Sequence, residues 1–138
     1  MKVNLKRVDD AFRFETTTED GFKLYTDASE SIGGNNTAAR PMQMVLAAVA
    51  SCSSIDIVHL LNKQRQPLED IQVDVTAQRA DQDPRVFTHI HLHYRCYGHL
   101  DPTKVERACR LSMEKMCSVS LMLKGTVEID WSYEVVEV

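Results

Sequence analysis

Four cysteines are the residues of this chain best suited to redox or metal chemistry: Cys52, Cys96, Cys109 and Cys117. A zinc site favours close pairs such as Cys-x-x-Cys, and the intervals here are 43, 12 and 7 residues. Two disulfides would be typical of a small secreted domain that has a poor hydrophobic core and a signal peptide. This sequence shows neither a poor core nor a signal peptide. The spacing therefore leaves two interpretations, buried structural thiols and reactive thiols. For any one cysteine the structural interpretation is the commoner.

A second group with metal-binding chemistry is the row His89, His91 and His93, which shares one face of a predicted strand. Side chains two residues apart on a strand lie about 7 Å from each other, so one pair can share an ion. Three ligands in a line do not converge easily on one ion, and no acidic partner is obvious. The pattern favours an exposed strand face, and we expect neither a bound metal nor a cofactor.

Composition sets the class of protein in which these residues must work. The chain has 138 residues, 43 % hydrophobic and 26 % charged, with a formal net charge of −4. These values are typical of one globular domain, and we expect residues 1–138 to form it. Few basic clusters argue against binding nucleic acid or anionic lipid. Without an apolar run of about 18 residues or a signal-peptide core, we expect a cytoplasmic protein that does not enter the membrane.

Hydrophobic periodicity and turn residues predict the elements that must position these side chains. One helix is expected from Pro41 to about Lys63, and a second begins at Asp101-Pro102, runs through Cys117 and ends near Gly125. A loop is expected over 27–40. Strands are predicted over 2–8, 12–18, 22–26, 70–79, 86–97 and 126–136. This order predicts an α+β fold with a largely antiparallel sheet.

Two of these elements carry information about the core. The stretch Met44–Ala50 is apolar around most of the first helix, so either the sheet wraps this helix or a second subunit covers it. On the strand 86–97, alternation predicts an inward face of Val86, Thr88, Ile90, Leu92, Tyr94 and Cys96.

Two cysteine-bearing segments resemble the OsmC/Ohr family of osmotically inducible and organic hydroperoxide resistance proteins. The first is Arg40–Asp56, RPMQMVLAAVASCSSID, and the second is Met113–Ser120, MEKMCSVS. The order of strands and helices matches as well, so the resemblance covers nearly the whole chain. It implies an OsmC-like fold with two long helices and an intertwined homodimer whose active sites lie at the subunit interface.

The resemblance also implies an activity, the reduction of organic hydroperoxides in oxidative-stress defence. By correspondence with the family, Cys52 is the peroxidatic thiol and Cys117 the resolving thiol. The partners are then a small hydroperoxide and a dithiol reductant, which is a lipoyl group in the best-known members. Cys96 and Cys109 fall outside the cysteine positions of the family, and we expect both to be packing residues.

One position departs from the family pattern. In the family an arginine beside the reactive thiol is held by a carboxylate; here Arg40 is the nearest candidate in sequence, with Arg13 as the alternative. The acidic position falls at Gln43, which brings no charge and would orient an arginine less firmly. This departure supports an alternative: a divergent member without peroxidase activity that binds a small apolar or thiol-reactive ligand at the same cleft.

Overall fold

The fold is α+β and contains two separate three-stranded sheets, as described for residues 1–138 by a computed structural model. Contacts divide the chain into two compact units, Met1–Val45 and Leu46–Val138. Each unit contains one of the sheets. The predicted fold class is confirmed.

The first unit begins with an antiparallel meander of β1 (Val3–Arg7), β2 (Phe14–Thr18) and β3 (Lys23–Thr26). All three strands lie within two residues of their predicted bounds. The first turn is held by the carboxylate of Asp9, which accepts hydrogen bonds from the backbone N–H groups of Ala11 (2.9 Å) and Arg13 (3.0 Å). An aspartate that bonds the backbone ahead of it is a frequent turn device, so the sequence marks this turn correctly.

The loop that follows β3 is organised by one buried carboxylate. Asp27 is 2 % exposed and accepts hydrogen bonds from the Thr37 hydroxyl (2.6 Å), the Thr37 N–H (3.0 Å) and the Ala28 N–H (2.7 Å). A short 3₁₀ turn, Glu30–Ile32, interrupts the loop. Gly34 packs against the chain so closely that a Cβ atom would lie 2.1 Å from the carbonyl oxygen of Ala28. The loop therefore has a defined conformation.

The second unit is built on a sheet of β4 (Leu68–Arg79), β5 (Phe87–Gly98) and β6 (Glu128–Val136), with β5 in the centre. β5 runs antiparallel to β4 and parallel to β6. Its inward face is fully buried, as predicted, at Ile90, Leu92, Tyr94 and Cys96. The prediction is wrong at the start of the strand: Val86 and Thr88 are exposed and Phe87 is buried. A register shift at Gln78–Arg79 changes the alternation there.

The first helix, α1 (Pro41–Lys63), has the predicted bounds, but the second predicted helix is interrupted. It divides into α2 (Pro102–Leu111), a π-turn (Ser112–Met116) and α3 (Ser118–Leu123). Cys117 lies at the break in an extended conformation, and its N–H donates to the Ser112 carbonyl oxygen at 2.7 Å. The start of α2 is as predicted, since the Asp101 carboxylate accepts from the Thr103 N–H at 2.9 Å.

Within the second unit, α1 presents two contrasting lines of residues, each with a spacing of four. Val49, Ser53, Ile57 and Leu61 form the buried line, whereas Ala47, Ser51, Ile55 and His59 form the exposed line. By length and composition alone α1 could cross a membrane, with a mean hydropathy of 1.9 over a window that is 22 % buried. Core helices of soluble proteins pass the same test. One line of residues along this apolar helix is therefore left exposed by the chain itself.

We predict that Asp27→Asn lowers the melting temperature at neutral pH, because an amide places a donor against the Thr37 donors. Hydrogen bonds from the Thr37 hydroxyl and N–H lower the pKa of Asp27 to about 2. An unfolded aspartate titrates near pH 3.9, so the carboxylate stabilises the fold above that pH and loses this effect as the pH falls through about 2.

Thermal unfolding followed by circular dichroism from pH 7 to pH 2 measures this dependence. The difference between wild type and Asp27→Asn should shrink as the pH falls from 4 to 2. Asp10→Asn is the matched control, since Asp10 is exposed and accepts no hydrogen bond in the structure. A difference that stays constant over this pH range would contradict the assignment.

Candidate active site

Cys52 lies in the middle of α1, next to the buried line of that helix. Its side chain is half-buried, and its Sγ atom lies 3.8 Å from the hydroxyl oxygen of Ser118 at the start of α3. Sixty-six residues separate these two positions in the chain. The fold therefore brings the first cysteine segment against the second.

Cys117 lies directly before Ser118 and is fully buried. Its Sγ accepts a hydrogen bond from the Ser120 N–H at 3.4 Å, so the thiol caps α3. The Ser120 hydroxyl donates back to the Cys117 carbonyl oxygen at 3.1 Å. The interruption of the helix thus has a local cause and fixes Cys117 in one orientation.

A buried hydrogen-bond network joins α1 to both β5 and the π-turn. The Tyr94 hydroxyl donates to the Ser53 hydroxyl at 2.6 Å and also lies 3.3 Å from the sulfur of Met113. The Ser112 hydroxyl lies 3.0 Å from an Asp56 carboxylate oxygen and 3.2 Å from the Ser53 carbonyl oxygen. Since these residues flank Cys52 and Cys117 in sequence, the network fixes the spacing between the two cysteine segments.

The two thiols have opposite pKa shifts. Burial opposes ionisation of Cys52, but hydrogen bonds from the Val119 N–H, the Cys117 thiol and the Ser118 hydroxyl outweigh it and lower the pKa of Cys52. Burial raises the pKa of Cys117, and a neighbouring Cys52 thiolate raises it further. Both thiols are free. Of the two thiols, Cys52 is therefore the easier to ionise.

The other two predicted site residues, Arg40 and Gln43, lie in the first unit. The Arg40 guanidinium donates to the Asn36 side-chain oxygen (2.7 Å) and the Ala38 carbonyl oxygen (3.0 Å). The side-chain oxygen of Gln43 accepts from the backbone N–H of Arg40 at 2.9 Å. Gln43 thus caps the start of α1 through the Arg40 backbone, whereas the sequence suggested that it would orient an arginine side chain, though less firmly than a carboxylate. The catalytic roles of both residues stay predictions.

The alternative cation, Arg13, also has local partners in the first unit. Its guanidinium donates to the hydroxyl (2.7 Å) and carbonyl (3.1 Å) oxygens of Thr37 and lies 4.7 Å from the ring centre of Tyr25. The charge is therefore solvated by neutral oxygens and an aromatic face, and it is not paired with a carboxylate.

The remaining cysteines are buried, in agreement with a packing role. Cys96 on β5 and Cys109 on α2 are both inaccessible to solvent. Burial raises the pKa of Cys96 to about 11 and raises that of Cys109 as well. Thiols of this kind are neutral and unreactive at physiological pH.

A cleft of about 220 Å³ adjoins the segment that carries Cys117. Its walls come from the π-turn, α3 and β6, and they combine apolar and charged side chains: Met113, Glu114, Ser120, Lys124, Ile129, Asp130 and Trp131. The volume suits a small molecule with both an apolar part and a polar group.

Acidic partners for the histidine row come from β6, which the sequence did not place beside it. Parallel pairing sets Glu128 opposite His89 and Asp130 opposite His91. The histidine row therefore does have acidic partners, contrary to the expectation from the sequence. One possible metal-ligand group results, formed by His89, Glu128 and Asp130.

Sequence reasoning missed Ser118 and Tyr94 as parts of the site. Ser118 lies within the second cysteine segment, so the sequence already contained a hydroxyl beside Cys117 that could hydrogen-bond a thiol. Tyr94 was assigned correctly to the inward face of its strand, and a buried phenol needs a hydrogen-bond partner. No sequence pattern identified Ser53 as that partner.

Comparisons with known proteins agree with this geometry. A family described as OsmC-like protein matches residues 33–132. Protein YhfA of Escherichia coli (strain K12) is 50 % identical over 137 residues, which cover 99 % of this chain and 98 % of that protein. A hypothetical protein from Aquifex aeolicus VF5 is 30 % identical, with a TM-score of 0.86 and coverage of 99 % and 96 % of the two chains.

A more distant likeness concerns the fold alone. The crystal structure of an organic hydroperoxide resistance protein OsmC from Legionella pneumophila is 24 % identical to this chain. It matches with a TM-score of 0.72 and covers 97 % of each chain.

We predict that Ser118→Ala raises the pKa of Cys52 and slows its alkylation at pH 7. One hydrogen bond contributes about 0.5–1.5 kcal/mol, so the rate should fall roughly two- to tenfold. The measurement is the rate of iodoacetamide modification of the Cys52 peptide against pH, followed by mass spectrometry. Ser51→Ala is the control, because the Ser51 hydroxyl is bonded to the Ala47 carbonyl oxygen of its own helix. Equal rates for wild type and Ser118→Ala would contradict the prediction.

Proposed function

The chain belongs to the OsmC-like protein family, and on that premise we propose that it is a thiol-dependent peroxidase that reduces organic hydroperoxides in oxidative-stress defence. The observation that carries the proposal is the contact between the two cysteine segments, in which Cys52 Sγ lies 3.8 Å from the hydroxyl of Ser118, the residue after Cys117. The lowered pKa of Cys52 and the raised pKa of Cys117 agree with it. A peroxidase of this kind needs a thiolate that attacks and a second thiol that waits in its neutral form.

In the proposed reaction, the Cys52 thiolate attacks one oxygen of the hydroperoxide. A sulfur–oxygen bond forms, the oxygen–oxygen bond breaks, and the departing alkoxide takes a proton and leaves as an alcohol. Cys52 becomes a sulfenic acid. The sulfur of Cys117 then attacks the Cys52 sulfur, a disulfide forms, and the hydroxyl of the sulfenic acid leaves as water. Two electrons pass from the two thiols to the peroxide.

A dithiol reductant must then reopen the disulfide. One of its thiolates attacks the disulfide, a mixed disulfide forms, and its second thiol releases the protein thiol while it closes its own ring. A lipoyl group has this chemistry.

A second function has a specific observation in its favour. Gln43 caps α1 through the Arg40 backbone and supplies no carboxylate to a guanidinium. Without that carboxylate, the family's charge arrangement around its arginine is incomplete. The second candidate is therefore a protein without peroxidase activity that binds a small apolar or thiol-reactive ligand near Cys52. Both functions suit a cytoplasmic protein, which we propose as its location.

We also propose a homodimer, because the exposed line of α1 includes a large apolar side chain, Ile55, that this chain does not cover. Ile55 lies in the centre of this line and is 70 % exposed. A second copy of the chain is the proposed cover. Burial of a large aliphatic side chain stabilises an interface by about 1.5–3 kcal/mol.

The peroxidase proposal predicts distinct outcomes for the two thiols. In an assay with cumene hydroperoxide and dihydrolipoamide, Cys52→Ser should reduce turnover to the rate of the reductant alone. Cys117→Ser should accumulate a Cys52 sulfenic acid that dimedone traps, and mass spectrometry should find no disulfide. Cys96→Ala is the control, since that thiol is buried and its pKa is raised.

The peroxidase proposal would be overturned if Cys52→Ser kept full activity, or if the wild type reduced peroxide no faster than the reductant alone. Ligand binding without peroxidase activity would then remain as the function. Arg40→Ala distinguishes the peroxidase from the ligand-binding function further. It should slow peroxide turnover if the Arg40 guanidinium stabilises the Cys52 thiolate. Gln43→Glu should then raise turnover, since it restores the acidic residue of the family pattern.

The dimer proposal predicts a solution mass of twice the 15.7 kDa chain in sedimentation velocity. Ile55→Glu should shift the protein to the monomer at micromolar concentration, because a carboxylate cannot be buried without a partner. Val86→Glu is the control, as Val86 is also an exposed aliphatic residue, at 54 %. A wild-type monomer, or a dimer unaffected by Ile55→Glu, would contradict the proposal.

A further inference from the structure

The outward face of β5 and β6 carries a ladder of paired polar side chains that the redox chemistry does not use. Four consecutive outward positions of β5 are His89, His91, His93 and Arg95; opposite them on β6 are Glu128, Asp130, Ser132 and Glu134. Side chains of alternate residues share a face, so these eight form two adjacent rows. Each cross-strand pair in the ladder therefore combines a side chain with nitrogen atoms and a side chain with oxygen atoms.

At one end of the ladder three donors converge. The Nε2 atom of His89 lies 2.9 Å from an Asp130 carboxylate oxygen. Donor atoms of His89, Glu128 and Asp130 all lie within 4.8 Å of one another. Ligands bound to one zinc ion at about 2.1 Å lie roughly 3.4 Å apart, so small rotations of these side chains would complete the coordination.

The residues behind these donors hold Asp130 in place. Asp130 Oδ1 accepts a hydrogen bond from Nδ1 of His91, which leaves Oδ2 directed at His89. The Ser132 hydroxyl oxygen lies 3.0 Å from His91 Nε2 and 2.7 Å from His93 Nδ1. Hydrogen bonds of this kind orient the ligating carboxylates of metal sites.

We propose that His89, Glu128 and Asp130 form a binding site for one divalent transition-metal ion. Two carboxylates balance the charge of a divalent cation, and the imidazole selects a transition metal over Mg²⁺ or Ca²⁺. Asp130 and Glu128 are exposed, so the ion has access from solvent and keeps water as a further ligand. The bound ion links β5 to β6, two parallel strands whose chain connection runs through α2 and α3.

The test is a calorimetric titration of Zn²⁺ into the full chain without an affinity tag, in a variant that carries Cys52→Ser and Cys117→Ser. These two changes remove the half-buried Cys52 thiol and the adjacent buried Cys117 thiol as competing ligands. We expect one zinc ion per chain. His89→Asn, Asp130→Asn and Glu128→Gln should each weaken binding by tenfold or more, and millimolar Mg²⁺ should not displace the zinc.

Glu134→Gln is the matched control, because Glu134 is a carboxylate on the same face of β6 and lies 3.8 Å from His93. It should change zinc affinity less than twofold. A second readout is the melting temperature, which zinc should raise in the starting variant and leave unchanged in His89→Asn. Absence of zinc binding, or affinity unchanged in the three ligand variants, would overturn the site.

Discussion

The contact on which the candidate active site depends is the hydrogen bond from the Tyr94 hydroxyl to Ser53. Tyr94 is fully buried, and burial raises its pKa, so the phenol stays a donor at every physiological pH. Ser53 is adjacent to Cys52, and Met113, the second neighbour of the phenol, precedes Cys117 by four residues. One side chain of the central strand thus sets the distance between the two cysteine segments. A buried donor left without its acceptor costs about 1–3 kcal/mol, which makes this spacing hard to change.

The same geometry explains how a thiolate can be favoured in an apolar helix. The donors that lower the pKa of Cys52 are a backbone N–H, a thiol and a hydroxyl, all on residues 117–119. They are neutral, so they require no counter-charge to be buried with them. The helix interruption at Cys117 makes this possible, because an unbroken helix would bond the Val119 N–H to its own backbone. The break in regular structure is therefore part of the site.

Sequence patterns predicted the order of elements and the bounds of α1 because periodicity and turn residues are local signals. They also identified both cysteine segments. They did not predict the break at Cys117, since the apolar helical spacing continues through it and the cause is a set of contacts made by Ser112 and Ser120. The partners of the histidine row were missed for a related reason. Glu128 and Asp130 lie about forty residues away, and only the parallel pairing of β5 with β6 brings them close. The role of Gln43 depended on side-chain direction, which composition does not specify.

β5 contributes to two polar sites of the second unit, because its side chains alternate between the inward and the outward face of the sheet. Tyr94 points inward to Ser53, while its neighbours His93 and Arg95 point outward to the ladder. A change that shifted β5 by one residue against β6 would exchange these faces, bury the histidines and expose Tyr94. The register that aligns His89 with Glu128 is therefore the same register that holds Cys52 against the Cys117 segment. An ion that links β5 and β6 on the outside would stabilise the one strand alignment in which the proposed redox pair, Cys52 and Cys117, can form.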